Sequence, residues 1–278
     1  MTIIVADTTC GLPRRELERL GIPLIPQIVM FGDESFHDDS ELDTAAFLRK
    51  LRASPSLPKT AAPEPPLYAP VFRLAQEKGE SVVVVAPTLK VSGTLRSAQA
   101  AAQDFPHLDL RLVDTLTIAG NLGSLVLMAD QWAKDGADAD TIVQRLHEMI
   151  PRGRLFFLVD TLEYLQKGGR IGGAQALVGE LLQVKPILTV RDGQVEPFEQ
   201  HRTKKRAVAR LIEIVTEQCP KTEGAHLCVM QADAGEAAHG IASRLQLEPG
   251  YGEIPIYELP PAIVVHAGPG ALAVGFFI

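Results

Sequence analysis

Ser81–Ala86 reads Ser-Val-Val-Val-Val-Ala, and no other segment restricts the fold of this chain so much. Four successive valines cannot alternate between core and water, so both faces of the strand must be buried. That is the situation of a parallel strand covered by helices on either side. The flanks agree. Leu67–Lys78 has helical character and is closed by Gly79. A polar loop and a helix from about Leu95 to Asp104 follow, and then a strand at Leu110–Val113 that ends at Asp114.

The remaining N-terminal segments extend this pattern. Thr2–Ala6 is a strand whose carboxyl end carries Asp7-Thr8-Thr9. Pro13–Leu20 is a short helix with proline at its start and Gly21 after it. Ile22–Phe31 is extended, and Asp43 can cap a helix through Phe47 and Leu51. Pro55–Pro66 holds five prolines and is expected to be a loop. Leu122, Leu125, Val126, Ala129 and Trp132 recur at helical spacing, and Asp138–Ile150 is a further helix. The order is βαβα, which implies a doubly wound parallel sheet.

The second half reads differently. Leu155–Val159 is a strand. Ile187–Val190 and Gln194–Phe198 flank Asp192-Gly193, the dipeptide of a tight hairpin turn. Val208, Leu211, Ile212 and Val215 mark an amphipathic helix. Ala225–Met230, Gly235–Leu245, Glu253–Glu258 and Ala271–Phe277 read as strand, helix, strand, strand. A mixed sheet with helices is expected, and the division falls near Pro151, giving residues 1–150 and 151–278.

A formal net charge of −7 argues against broad nucleic-acid or anionic-membrane binding. Cys10, Cys219 and Cys228 are scattered, without disulfide or metal spacing, so a cytoplasmic setting is expected. No signal peptide is read at the N-terminus, and no apolar run approaches bilayer length.

Four constellations could carry chemistry. Asp160–Ile171 ends in Gly168-Gly169-Arg170, a turn presenting a planar cation suited to a carboxylate or phosphate. Ser92-Gly93-Thr94 sits between a strand and a helix, where hydroxyls and free N–H groups can meet an anion, and Thr60 is a second exposed hydroxyl. His266-Ala267-Gly268-Pro269-Gly270 sets an imidazole beside a turn, fit to share a proton with a carboxylate near neutral pH. His201–Arg206 is the densest basic cluster. Ser92 lacks the surroundings of a nucleophile elbow, the histidines show no ligand spacing, and no phosphate-cradling glycine loop is present. No metal and no cofactor are expected.

Taken in order, these segments resemble the DegV family of bacterial fatty-acid-binding proteins. The resemblance rests on Asp7-Thr8-Thr9, Thr60, Ser92-Gly93-Thr94 with Ser97-Ala98, and Asp160–Gly172. It continues through Lys185–Leu188, Asp192-Gly193, Arg202–Lys205 and His266–Gly270. It implies an α/β fold of two domains, an N-terminal mostly parallel sheet with flanking helices and a C-terminal mixed sheet. One long-chain, palmitate-like fatty acid would lie between them. By position, Thr60, Ser92 and the N–H groups of Gly93 and Thr94 would hold its carboxylate, with Arg170 and His266 completing the network. No residue would be catalytic. A separate fatty acid kinase would phosphorylate the bound ligand, with Arg202, Lys204, Lys205 and Arg206 as docking residues on an otherwise monomeric carrier. One departure stands out: the family usually has a serine after the threonine, where this chain has Ala61 and Ala62. Two other readings follow from the residues: an acyl transferase or esterase with Ser92 as nucleophile and His266 as base, and a lipid-responsive regulatory module.

Overall fold

The computed structural model describes residues 1–38, 40–178 and 184–278. Its elements run β1 (Thr2–Asp7), α1 (Arg14–Leu20), β2 (Leu24–Ile25), β3 (Ile28–Phe31), β4 (Glu34–His37), α2 (Thr44–Ala53) and β5 (Lys59–Ala61). Then come α3 (Ala69–Lys78), β6 (Ser81–Ala86), α4 (Thr94–Ala101), β7 (Leu110–Asp114), α5 (Ala119–Lys134) and α6 (Ala139–Met149). The rest is β8 (Gly153–Leu158), α7 (Glu163–Lys167), β9 (Lys185–Arg191), β10 (Gln194–His201), α8 (Lys204–Gln218), β11 (Cys228–Gln231), α9 (Gly235–Gln246), β12 (Ile256–Glu258), α10 (Pro261–Ala267) and β13 (Leu272–Phe277).

The valine strand is β6, and it lies inside a parallel sheet of order β2-β1-β6-β7. Its period of two sends alternate side chains to opposite faces. Val83 and Val85 join Ile4 and Ala6 in a core with α1, α5 and α6. Val82, Val84 and Ala86 join Val5 in a second core with Tyr68, Phe72, Leu95 and Ala98, from the α3 and α4 side. Helices thus cover both faces, as a strand with no polar side requires.

The second sheet has order β10-β9-β8-β13-β11-β12 and is antiparallel except between β11 and β12. The β9–β10 hairpin turns at Asp192 (φ 49°) and Gly193 (φ 77°), both left-handed as a two-residue turn demands. Helices α8 and α9 bury one face through Leu211, Ile214, Ile241 and Leu245.

Three elements depart from the sequence reading. Ile28–Phe31 does not continue one extended run, and the proline-rich segment is not wholly loop. β5 pairs with β3 (Val29 opposite Thr60), giving a small antiparallel sheet β4-β3-β5. Three residues between Pro58 and Pro63 are just enough for an edge strand, where the neighbouring prolines need donate nothing. The third departure is α10. Its three-residue apolar run carries no visible period, yet Pro260-Pro261 opens a helix and Gly268 (φ 78°) closes it. His266 therefore stands on a helix, not in a turn.

The small sheet and the second sheet share one core. Val29, Phe31 and Phe47 pack with Leu155, Leu165, Val195, Val264 and Ala273. Phe277, fully buried on β13, reaches the helical core of the first sheet instead. Phe277→Ala is expected to cost about 3–5 kcal/mol of unfolding free energy, read as a lower urea midpoint at unchanged slope.

Candidate functional site

A cavity of about 1000 Å³, counting its open mouth, lies between the carboxyl ends of the parallel strands and the second sheet. Its walls include Leu155, Phe157, Val190, Leu259, Ile263 and Ala273, and its polar lining includes Thr60, Ser92, Arg170 and His266. These four come from β5, the β6–α4 connection, the turn after α7, and α10.

Each is fixed by its neighbours. The turn after α7 closes as a Schellman motif: the Arg170 N–H donates to the Leu165 carbonyl at 2.9 Å and the Gly169 N–H to that of Gln166 at 3.0 Å, with Gly169 at φ 69°. Gly168 has an ordinary φ of −77°. Its glycine is needed for space, because a Cβ there would stand 2.2 Å from His266 Nδ1. The Arg170 guanidinium donates to the carbonyls of Val91 at 3.1 Å and Gly168 at 2.7 Å. Burial lowers its pKa, but a guanidinium remains charged. It is a half-buried cation held by carbonyls beside Ser92.

His266 is pushed down to about 4, first by burial and then by the Arg170 charge. Burial and that charge both favour the neutral ring. Its Nε2 lies 2.8 Å from Thr60 Oγ1, while the buried Nδ1 has no partner among the described residues. The tautomer that wastes no donor carries the proton on Nε2 and gives it to Thr60. The Thr60 hydroxyl proton is then free for the cavity. Ser97 Oγ donates to the Pro63 carbonyl and ties this strand to α4.

Ser92 and Gly93 line the cavity, but Thr94 does not. Thr94 is 1% exposed, its N–H donates to Ser92 Oγ at 3.3 Å, and its hydroxyl turns away from the cavity to Asp7 at 2.7 Å. The Thr94 N–H, expected to meet a ligand, donates to Ser92 Oγ. Of Ala61 and Ala62 only Ala62 is part of the lining. Alternation along β5 turns residue 61 away from the face of Thr60.

The basic cluster is split. Arg202, Lys205 and Arg206 are exposed. Lys204 instead pairs with Asp160 at 2.6 Å, at the end of β8, and reaches the Gly270 carbonyl at 3.5 Å. It joins the start of α8 to the turns on either side of the site. Asp7 stands out in the sequence only as a polar group at a strand end, and Gln27 carries no signal there. Asp7 is a buried acid joined to Ser92 through Thr94. The signal available was a charged residue ending an otherwise apolar strand.

Neither Ser92 nor His266 is bonded to the other. Ser92 Oγ contacts Thr94 Oγ1 at 2.9 Å, and no carboxylate among the described residues orients Nδ1 of His266. The described residues do not assemble a nucleophile–base–acid series. Among the described residues no group of acids, histidines and cysteines could hold a metal, and no helix is long and apolar enough to cross a membrane.

Comparison with known proteins decides the family. The model described as "Uncharacterised protein, DegV family" matches residues 1–278. The chain belongs to the DegV family. It is 36% identical over 273 residues to a DegV domain-containing protein of Streptomyces coelicolor, covering 98% of this chain and 96% of that one. A Thermus thermophilus DegV family protein, described as fatty acid binding, superposes with a TM-score of 0.90 at 30% identity, covering 99% of each chain. The Streptococcus pneumoniae fatty acid kinase (Fak) B3 protein, loaded with linoleic acid, shares the fold (TM-score 0.85, 21% identity, 100% of this chain and 99% of that one).

Two outcomes test the site. Gly168→Ala keeps an allowed φ but must displace His266 and press on the Tyr164 carbonyl, so the 2.8 Å contact to Thr60 breaks, and the His266 ring signals in NMR should shift most. Because the folded pKa of His266 (about 4) lies below its usual 6.5, the unfolded chain binds the extra proton between these values. Stability conferred by the neutral ring is full above pH 6.5 and is lost as pH falls toward 4. His266→Gln should remove that component from a pH series of denaturation midpoints.

Proposed function

We propose that this DegV family chain binds one long-chain fatty acid and presents its carboxylate to a separate fatty acid kinase, without catalysing a reaction itself. The observation that carries this reading is the cavity: apolar walls leading to Thr60, Ser92, Arg170 and neutral His266. Burying an alkyl tail contributes about 0.8 kcal/mol per methylene. Leaving a carboxylate unpaired would cancel that gain, and donors with a cation offset the cost. In this reading residues 1–150 and 151–278 are the two units that enclose the tail. Thr60, Ser92, the Gly93 N–H and Arg170 hold the head group, and His266 orients Thr60.

What the relatives bind supports the choice of ligand. The kinase step rests on the fold shared with the Fak B3 protein and on the exposed cations at the start of α8. Arg202, Lys205 and Arg206 form the docking surface, with Lys204 holding its base. The carrier works as a monomer in the cytoplasm.

Native mass spectrometry of the purified protein, followed by organic extraction, is the first test. The expected result is one fatty acid per chain. Ser92→Ala should lose one hydrogen bond to a charged group, about 1.5–3 kcal/mol, or at least about tenfold in Kd. Protein that neither carries nor takes up palmitate or oleate would refute the reading.

A further inference from the structure

Asp7 is 1% exposed at the carboxyl end of β1, and it has no place in the head-group site just described. Its Oδ1 accepts from the Thr9 N–H at 3.0 Å and the Thr9 hydroxyl at 2.5 Å. Its Oδ2 accepts from Gln27 Nε2 at 2.5 Å and the Thr94 hydroxyl at 2.7 Å. Gln27 Nε2 also donates to Thr94 Oγ1 at 2.7 Å, and Thr94 Oγ1 lies 2.9 Å from Ser92 Oγ. Asp7, Thr94 and Ser92 thus form one chain of oxygens, and of the three only Ser92 lines the cavity.

Proton counting sets the direction of that chain. Each hydroxyl has one proton to give. With Asp7 ionised, Thr94 gives its proton to the carboxylate. The Thr94 oxygen then accepts from Gln27 and from Ser92, so the Ser92 proton points inward. Ser92 shows the cavity only lone pairs, which repel an anion. Turning the Ser92 proton outward would leave two bare oxygens 2.9 Å apart. With Asp7 protonated on Oδ2, every contact survives in reverse: Asp7 donates to Thr94, Thr94 to Ser92, and Ser92 to whatever occupies the cavity.

We propose that Asp7 is a positioning residue whose protonation reverses the Asp7–Thr94–Ser92 chain, so that a carboxylate head group at Ser92 is bound together with a proton held on Asp7. This rests on the fatty-acid reading of the cavity. Burial raises the pKa of Asp7 against the lowering effect of Thr9, Thr94 and Gln27, and no cation is among the causes. The groups facing it are Thr9 on its own turn, Gln27 before β3, Thr94 on α4, and Tyr68. The Tyr68 phenol donates to the Thr94 carbonyl at 3.4 Å and is held neutral by burial and by the Asp7 charge. Arg170 and His266 face the same cavity from the turn after α7 and from α10.

Laurate binding to delipidated full-length protein can be followed by isothermal titration in buffers of different ionisation enthalpy over a series of pH values. Wild type is expected to take up protons on binding, rising to close to one per laurate at pH values where Asp7 is ionised in the free protein. Its Kd should rise by up to about tenfold per pH unit over the range where Asp7 is ionised in the free protein and protonated in the bound one. Asp7→Asn keeps a donor toward Thr94 permanently, so uptake should vanish and Kd should become independent of pH. Thr94→Val cuts the chain at its middle and should abolish uptake even if Asp7→Asn fails to fold. Uptake that persists in either folded variant, or is absent in wild type that binds laurate, would overturn the proposal and leave the fatty-acid reading standing. Wild type that binds no laurate at any pH would overturn both.

Discussion

The site depends on the hydrogen bonds that converge on Asp7. One carboxylate at the end of β1 collects donors from the turn that follows it, from Gln27 at the entrance to the small sheet, and from Thr94 on α4. Those three segments are separate in sequence, and the Asp7 carboxyl group ties them together. A buried carboxylate with a missing donor is costly, so the segments are placed together or not at all. Thr94 then sets Ser92, and the small sheet sets Thr60. The cavity's polar end is arranged from behind.

The opposite side of that end is arranged by removal of bulk. Gly168 lets a backbone turn rest against His266, and Gly270 does the same for Asp160, whose oxygen occupies the place a Cβ would take. The result is a cation and an imidazole crowded into one half-dry corner. Burial and the nearby guanidinium together keep the ring uncharged. Two like charges there would leave the ring without a hydrogen-bonding partner on one side and with repulsion on the other.

Much of this could be read in the residues. The valine strand implied a parallel sheet covered on both faces, and the Asp-Gly turn implied the hairpin; both are present. Ser92, Arg170 and His266 were singled out through the family resemblance of their motifs, each of which alone reads as an ordinary cap or turn, and they line one cavity. What escaped was decided by partners remote in sequence. β5 is a strand only because β3 lies beside it. α10 is too short for a period to register. Thr94 was given to the ligand because its hydroxyl and N–H suit an anion, while the acceptor that takes the hydroxyl lies 87 residues away.

β13 lies in the middle of its sheet, between β8 and β11, although it is the last strand in sequence. Its pairing with β8 joins Leu272 to Leu158 across the whole of the second half of the chain. Ala273 of β13 and Leu155 of β8 both wall the cavity. Non-local pairings of this kind close late in folding. A partly folded chain that lacks β13 has no enclosed cavity, so whatever the cavity accepts binds the finished fold and not its precursors, and draws the folding equilibrium toward completion by mass action.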